Sequence, residues 1–242
     1  MRRIRQPHWF VGGETIIDVG SHVGTDLIAV LQQAPTNVSV HTFEPIASLR
    51  DKLIQNVRTH VRSGLERLHI HPYGLGGSNR SSCFATGDAH AALGVHETKD
   101  AGPSSCAMPA EIREIGSIVG IGFPRVDFMQ INCEGCEYEI IESLLGSPFL
   151  NRIEVLEVQF HLELPVQNDT HRYCRIEAGL RSAGYGLEYR CVAARMKLGP
   201  PSTHQDPPSL SSIVSPPYLN PESIPDGQAP FCVGALVQGS GP

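Results

Sequence analysis

Short apolar runs alternate with amphipathic stretches along most of this chain, and that alternation constrains the fold more than any other feature. The runs at 15–20, 38–44, 68–72, 126–132, 154–160 and 185–192 are brief and rich in β-branched residues. Runs of this kind predict strands buried in a parallel sheet. Helices are expected between them over 23–33, 46–61, 110–119, 136–145 and 171–183, with a last strand over 231–237. Strands alternating with helices make an α/β protein with a mainly parallel sheet. Residues 78–109 are Gly/Ser-rich without a clear period and predict a long excursion with short antiparallel strands. Residues 199–230 hold 9 of the 19 prolines. Paired prolines hold neither helix nor central strand, so this stretch is expected to be an insertion. Apolar sequence returns after it, so residues 1–242 are expected to form one domain, with its core at 14–192.

Composition narrows the function classes. The 242 residues carry 19 basic and 25 acidic side chains, a formal charge of −6. Nucleic-acid binding needs a clustered basic surface, and no such partner is expected. No apolar run approaches the roughly 18 residues of a membrane span. The basic start, Met1-Arg2-Arg3, is not followed by the apolar stretch of a secretory signal. The 7 cysteines are scattered and odd in number. They predict buried free thiols, Cys133 and Cys136 included, in a reduced intracellular, cytoplasmic protein. His41, His69 and His71 are expected at mixed strand parity, so no metal site is predicted.

Chemistry concentrates at strand ends. The first strand runs into Asp18-Val19-Gly20-Ser21-His22-Val23-Gly24. Glycines here let main chain approach a ligand, and the next helix offers free N–H groups. Asp18 is expected to point its charge into the same crevice. Glu44, followed by Pro45, ends the second strand 24 residues beyond Gly20. An acid at that point can accept both hydroxyls of a ribose. A dinucleotide fingerprint needs glycine where His22 stands, which disfavours a nucleotide-dependent oxidoreductase. S-adenosylmethionine has no pyrophosphate, and a carboxylate at Asp18 suits its ammonium.

Three segments in order, Ile17 to Gly24, Thr42-Phe43-Glu44-Pro45, and Val126 to Gly135 with Glu137, resemble the FkbM-type methyltransferases. The likeness covers about residues 14–192. It implies a Rossmann-like class I methyltransferase fold, with a mostly parallel seven-stranded sheet, helices on both faces and an antiparallel last strand. It also implies S-adenosylmethionine as cofactor and O-methylation of a hydroxyl on a sugar or small natural product, so the expected partner is a small-molecule or glycan acceptor. The residues expected at the cofactor are Asp18, Gly20, Ser21, His22, Gly24, Glu44, Pro45, Gly74 and Asn132. A hydroxyl is a poor nucleophile at neutral pH, and Glu134 and His161 are the candidate bases. His22, Gln130 and Asn132 stand where the family commonly has Asn, Lys and Asp. Loss of the Asp charge at Asn132 supports a second reading, a catalytically impaired binding module.

Each residue also has a purely structural reading. Gly20 and Gly24 permit a tight turn. Glu44 is a helix N-terminal acid, and Asp18 caps its own turn. Glu134-Gly135 is a helix-entry device, and His161 is a polar strand end.

Overall fold

A computed structural model describes residues 10–62, 64–86, 95–98, 106–160, 169–193 and 231–238. The strands are β1 (Thr15–Val19), β2 (Ser39–Phe43), β3 (Leu68–His71), β4 (Gly74–Gly76), β5 (Arg80–Thr86), β6 (Val95–Thr98), β7 (Met108–Glu114), β8 (Val126–Ile131), β9 (Ile153–Gln159), β10 (Tyr185–Ala193) and β11 (Phe231–Gln238). The helices are α1 (Thr25–Gln33), α2 (Ala47–His60), α3 (Ile115–Gly122), α4 (Glu137–Leu145) and α5 (Asp169–Ser182).

Seven strands form the main sheet in the order β10-β11-β9-β8-β1-β2-β3. β1, β2, β3, β8 and β9 pair in parallel. β11 is antiparallel to both β9 and β10. Strand order reverses between β1 and β8, and ligands of such sheets bind at the carboxyl ends beside that reversal. The apolar runs are buried on both faces, as a parallel sheet requires. Ile16, Val40 and Phe128 pack with Leu27 and Leu31 of α1 and with Leu53 and Val57 of α2. Ile17, Met129 and Leu156 pack on the other face with Ile140 and Leu144 of α4 and Leu180 of α5. A buried cation ties the turn before β3 to the end of α1. Arg67 donates to the carbonyls of Leu31, Ala34 and Pro35, at and just beyond the C-terminal end of α1. A guanidinium there satisfies orphan carbonyls and opposes the negative end of the helix dipole.

A smaller sheet, ordered β4-β7-β5-β6, stands where the excursion was expected. One expectation fails nearby. The segment expected to be helical from 110 is strand β7 as far as Glu114, and α3 begins only at Ile115. The Glu114 carboxylate accepts the N–H groups of Gly116 and Ser117 at 2.7 and 2.6 Å, which sets the helix start there. The stretch 199–230 and His161 lie outside the described residues.

The cysteines also depart from expectation. Cys83 pairs with Cys106 and Cys133 with Cys136, at Cα separations of 5.5 and 5.6 Å. Those spacings are ordinary for disulfides. Cys174 is free. Disulfides persist in oxidising surroundings, so the cysteines no longer argue for a reduced cytoplasm. None of the described helices is long and apolar enough to cross a membrane.

The three histidines share one face rather than mixed parity. The parallel register sets His41 opposite His69 and Phe43 opposite His71. His41 stacks on His69 with ring centroids 4.4 Å apart, and its Nδ1 lies 3.1 Å from Nε2 of His71. Burial, together with the His69 and His71 rings, holds the His41 imidazole down at about 4. In the unfolded chain it titrates near 6.5, so the unfolded state binds the proton first. The His41 contribution to stability is therefore complete above pH 6.5 and falls as pH drops toward 4. Wild-type minus His41→Gln stability, from denaturant midpoints measured across that window, should decline as pH falls.

Candidate functional site

The carboxyl ends of β1, β2 and β8 converge on one cavity of about 500 Å³. This is an ordinary volume for a small-molecule site. Its wall includes Gly20, Ser21, His22, Glu44, Pro45, Gly74, Asn132 and Glu134, all expected from sequence. Gly24 stands behind it as the N-cap of α1, with φ 85°. An L residue rarely adopts that conformation, so glycine starts the helix at little cost.

Gly20 binds the two halves of the site together. Its N–H donates to the Phe43 carbonyl at 3.1 Å, which places Glu44 beside it. A Cβ on Gly20 would lie 2.3 Å from the Asn132 carbonyl oxygen, so only glycine lets the β1 and β8 ends come this close.

Glu44 is 4% exposed. Its Oε2 accepts the His22 N–H at 2.8 Å and its Oε1 accepts the Ile46 N–H at 2.9 Å. Arg50 donates to the Glu44 and Pro45 carbonyls at 2.8 and 2.7 Å. Burial pushes the Glu44 carboxyl up to about 7, although both backbone donors favour its charged form. His22 reaches its place with φ 52°, and burial lowers its imidazole below the usual histidine range.

Among the described residues, Glu134 is the other non-glycine residue with positive φ, at 56°. Both left-handed residues line the cavity. Such backbone costs on the order of 1 kcal/mol and clusters at functional sites. The Glu134 loop is fixed from two sides. The Cys133–Cys136 disulfide spans it. The buried Glu137 carboxylate accepts the Cys133 and Gly135 N–H groups at 3.0 and 2.8 Å. The loop is thus held before any ligand arrives, which lowers the ordering cost of binding.

Asp18 departs from its expected place. It is 3% exposed and is not among the residues lining the cavity. β1 and β2 register Asp18 with Thr42, and the turn returns Ser21 to the same face. Its Oδ2 accepts the Ser21 hydroxyl at 2.6 Å and the Thr42 hydroxyl at 3.1 Å. The carboxylate therefore closes the turn from behind. A residue that sequence reasoning missed, Asp26, lines the cavity instead. Its Oδ2 accepts from Asn132 Nδ2 at 3.3 Å. In sequence Asp26 looks like an ordinary first-turn acid of a helix, so only the contact across 106 residues distinguishes it.

The methyltransferase FkbM domain model matches residues 18–186. The chain belongs to this family. Methyltransferases of the family use S-adenosylmethionine. The membership removes the oxidoreductase alternative. The fold is similar to that of a proposed rRNA methylase from Clostridium thermocellum, with TM-score 0.53 and 8% identity over 96% of this chain and 90% of that one. The FkbM methyltransferase of Methylobacillus flagellatus aligns with TM-score 0.41 and 16% identity, covering 61% of this chain and 32% of that one. This chain thus spans about a third of that protein's length. Aeropyrum pernix fibrillarin, solved with natively bound S-adenosylmethionine, aligns with TM-score 0.45 and 11% identity over 78% and 63% of the two chains. No curated protein matches the sequence.

The raised Glu44 carboxyl has a sign that can be checked. The folded state holds a proton up to about pH 7, while the unfolded state releases it near 4.5. Its contribution is present below 4.5 and lost as pH rises through 7. Glu44→Gln should remove that loss, on the order of 2–3 kcal/mol between pH 4.5 and 8. Wild-type minus variant stability from urea titrations across this range measures it.

Proposed function

We propose that this cavity binds S-adenosylmethionine and that the chain transfers its methyl group to a hydroxyl of a sugar or small natural product. The observation that supports this best is the pairing of the buried Glu44 carboxylate with the left-handed Glu134 in one cavity at the sheet's carboxyl edge. Each Glu44 oxygen accepts one backbone N–H. Carboxylate oxygens take more than one donor, so a vicinal diol finds an acceptor on each. Ile46, Leu49 and Leu75 supply an apolar wall for a flat ring. A bound donor supplies a methyl already activated by its sulfonium charge.

What remains for the protein is placement and a proton. Reacting atoms held in line gain much of the rate from orientation alone. Glu134, on the turn after β8, takes the proton of the attacking hydroxyl in this scheme. Glu137 and the disulfide keep it in position. Cations in the wall carry acidic partners, Arg80 with Glu139 and Arg172 with Glu142. With the overall charge of −6, this balance favours a neutral hydroxylated acceptor over a polyanion.

Incubation with labelled S-adenosylmethionine and fractionated glycans or extracts tests the activity. Label transferred to a hydroxyl oxygen supports it. Donor binding without transfer to any hydroxyl acceptor would favour the non-catalytic module instead, the reading that the amide at Asn132 supports. Glu134→Gln should lower kcat by about 10²- to 10⁴-fold with the donor KM little changed. His161→Gln, in parallel, tests the other candidate base. Glu134→Gly should lose turnover yet gain about 1 kcal/mol of stability by relieving the left-handed backbone. Thermal and kinetic measurements on the same preparation give both numbers.

A further inference from the structure

The sequence and the family pattern lead one to expect an acid at Asp18 and at position 132, and neither presents a carboxylate to the cavity wall. Asp18 faces Ser21 and Thr42 behind the turn. Position 132 carries an amide. Asp26, second residue of α1, lines the cavity and accepts the Asn132 amide at 3.3 Å. The negative charge at this end has therefore moved from the strand to the helix beside it.

The two residues make a consistent pair. A carboxylate at 132 would stand against Asp26 at about this separation, and like charges so close do not both ionise. An amide offers the opposite polarity, donating to Asp26 and fixing its rotamer. The position of Asp26 in the first turn of α1 also matters. Its carboxylate offsets the positive helix end, which would otherwise repel a cation.

We infer that Asp26 receives the ammonium of the donor's amino-acid end, with Asn132 as its positioning residue. This rests on the proposal that the cavity holds S-adenosylmethionine. An ammonium fits better than the sulfonium, because it has three N–H donors for a carboxylate and the sulfonium has none. The sulfonium methyl must also remain open to the acceptor beside Glu134. Glu44 meets the other end of the same ligand, at the ribose. One carboxylate at each end then sets the donor's direction in the cavity.

Calorimetric titration of the full chain with three ligands tests this. S-adenosylmethionine and S-adenosylhomocysteine carry the ammonium, and 5′-methylthioadenosine keeps the adenosine and sulfur without it. Wild type should bind all three. Asp26→Asn should weaken the first two equally, by about ten- to a hundredfold, and leave the third unchanged. The exchange Asp26→Asn with Asn132→Asp returns the carboxylate to the strand and should recover most of the loss. Undiminished binding of the first two by Asp26→Asn overturns the inference, and so does an equal loss for all three ligands, the mark of a merely structural residue. Loss for S-adenosylmethionine alone also overturns it, since that would assign the sulfonium instead. Wild-type protein that binds none of the three removes the donor-site proposal itself, and the inference with it.

Discussion

One buried carboxylate organises this molecule's working edge. Glu44 sits between two turns that belong to different strand-to-helix connections and accepts a backbone N–H from each. Burying an ionised carboxylate without compensation costs several kcal/mol, and two backbone donors offset only part of that. The remainder is visible as a carboxyl held near 7. In the proposed donor site, a group held this close to neutrality suits hydroxyl donors. A ligand that supplies two more hydrogen bonds to the charged form lowers the burial penalty as it binds. His22 accepts a left-handed backbone so that its N–H reaches Oε2, and Gly20 gives up a side chain so that the strand ends can meet.

Most of the scaffold was legible because its signals are local. Apolar runs of four to seven residues, glycines after strands and an acid before Pro45 are each readable without knowing their neighbours in space. The expectations that failed needed long-range information. Strand β7 hides in a segment with helical composition, and what stops the helix at Ile115 is a carboxylate cap plus pairing with β5. The histidine face depends on register between β2 and β3, which one residue of slip reverses. The disulfides depend on which loops approach one another. Cys83 and Cys106 lie 23 residues apart, across the excursion. Cys133 and Cys136 alone were close enough in sequence to pair, and a short Cys-x-x-Cys is equally compatible with two thiols.

The site divides the same way. Positions on the turns after β1, β2 and β8 were foreseeable, because a doubly wound sheet sends ligands to its strand ends. The direction of a side chain there was not. Asp18 and Thr42 share a register position, so the same face that buries Thr42 buries Asp18. A strand-end acid can point into the crevice or back into its own turn, and the choice lies with Ser21, whose hydroxyl is 2.6 Å from the carboxylate. Glu134 shows the reverse case. Its sequence context reads as a helix entrance, yet φ 56° and a clamped loop mark it as a residue held against its backbone preference.

Asn132 carries the most instructive departure from the family pattern. Taken alone, an amide in place of a carboxylate removes a charge beside the donor and argues for lost function. Taken with Asp26, it is half of an exchange, because the hydrogen bond between them keeps one negative charge and adds one fixed donor at the same end of the cavity. Electrostatics in a confined site depend on where charge is presented more than on which strand or helix carries it. Two neighbouring positions can therefore trade roles with the field at the ligand preserved, while each single position looks like damage. The compensating residue lies 106 positions away in sequence and one hydrogen bond away in space.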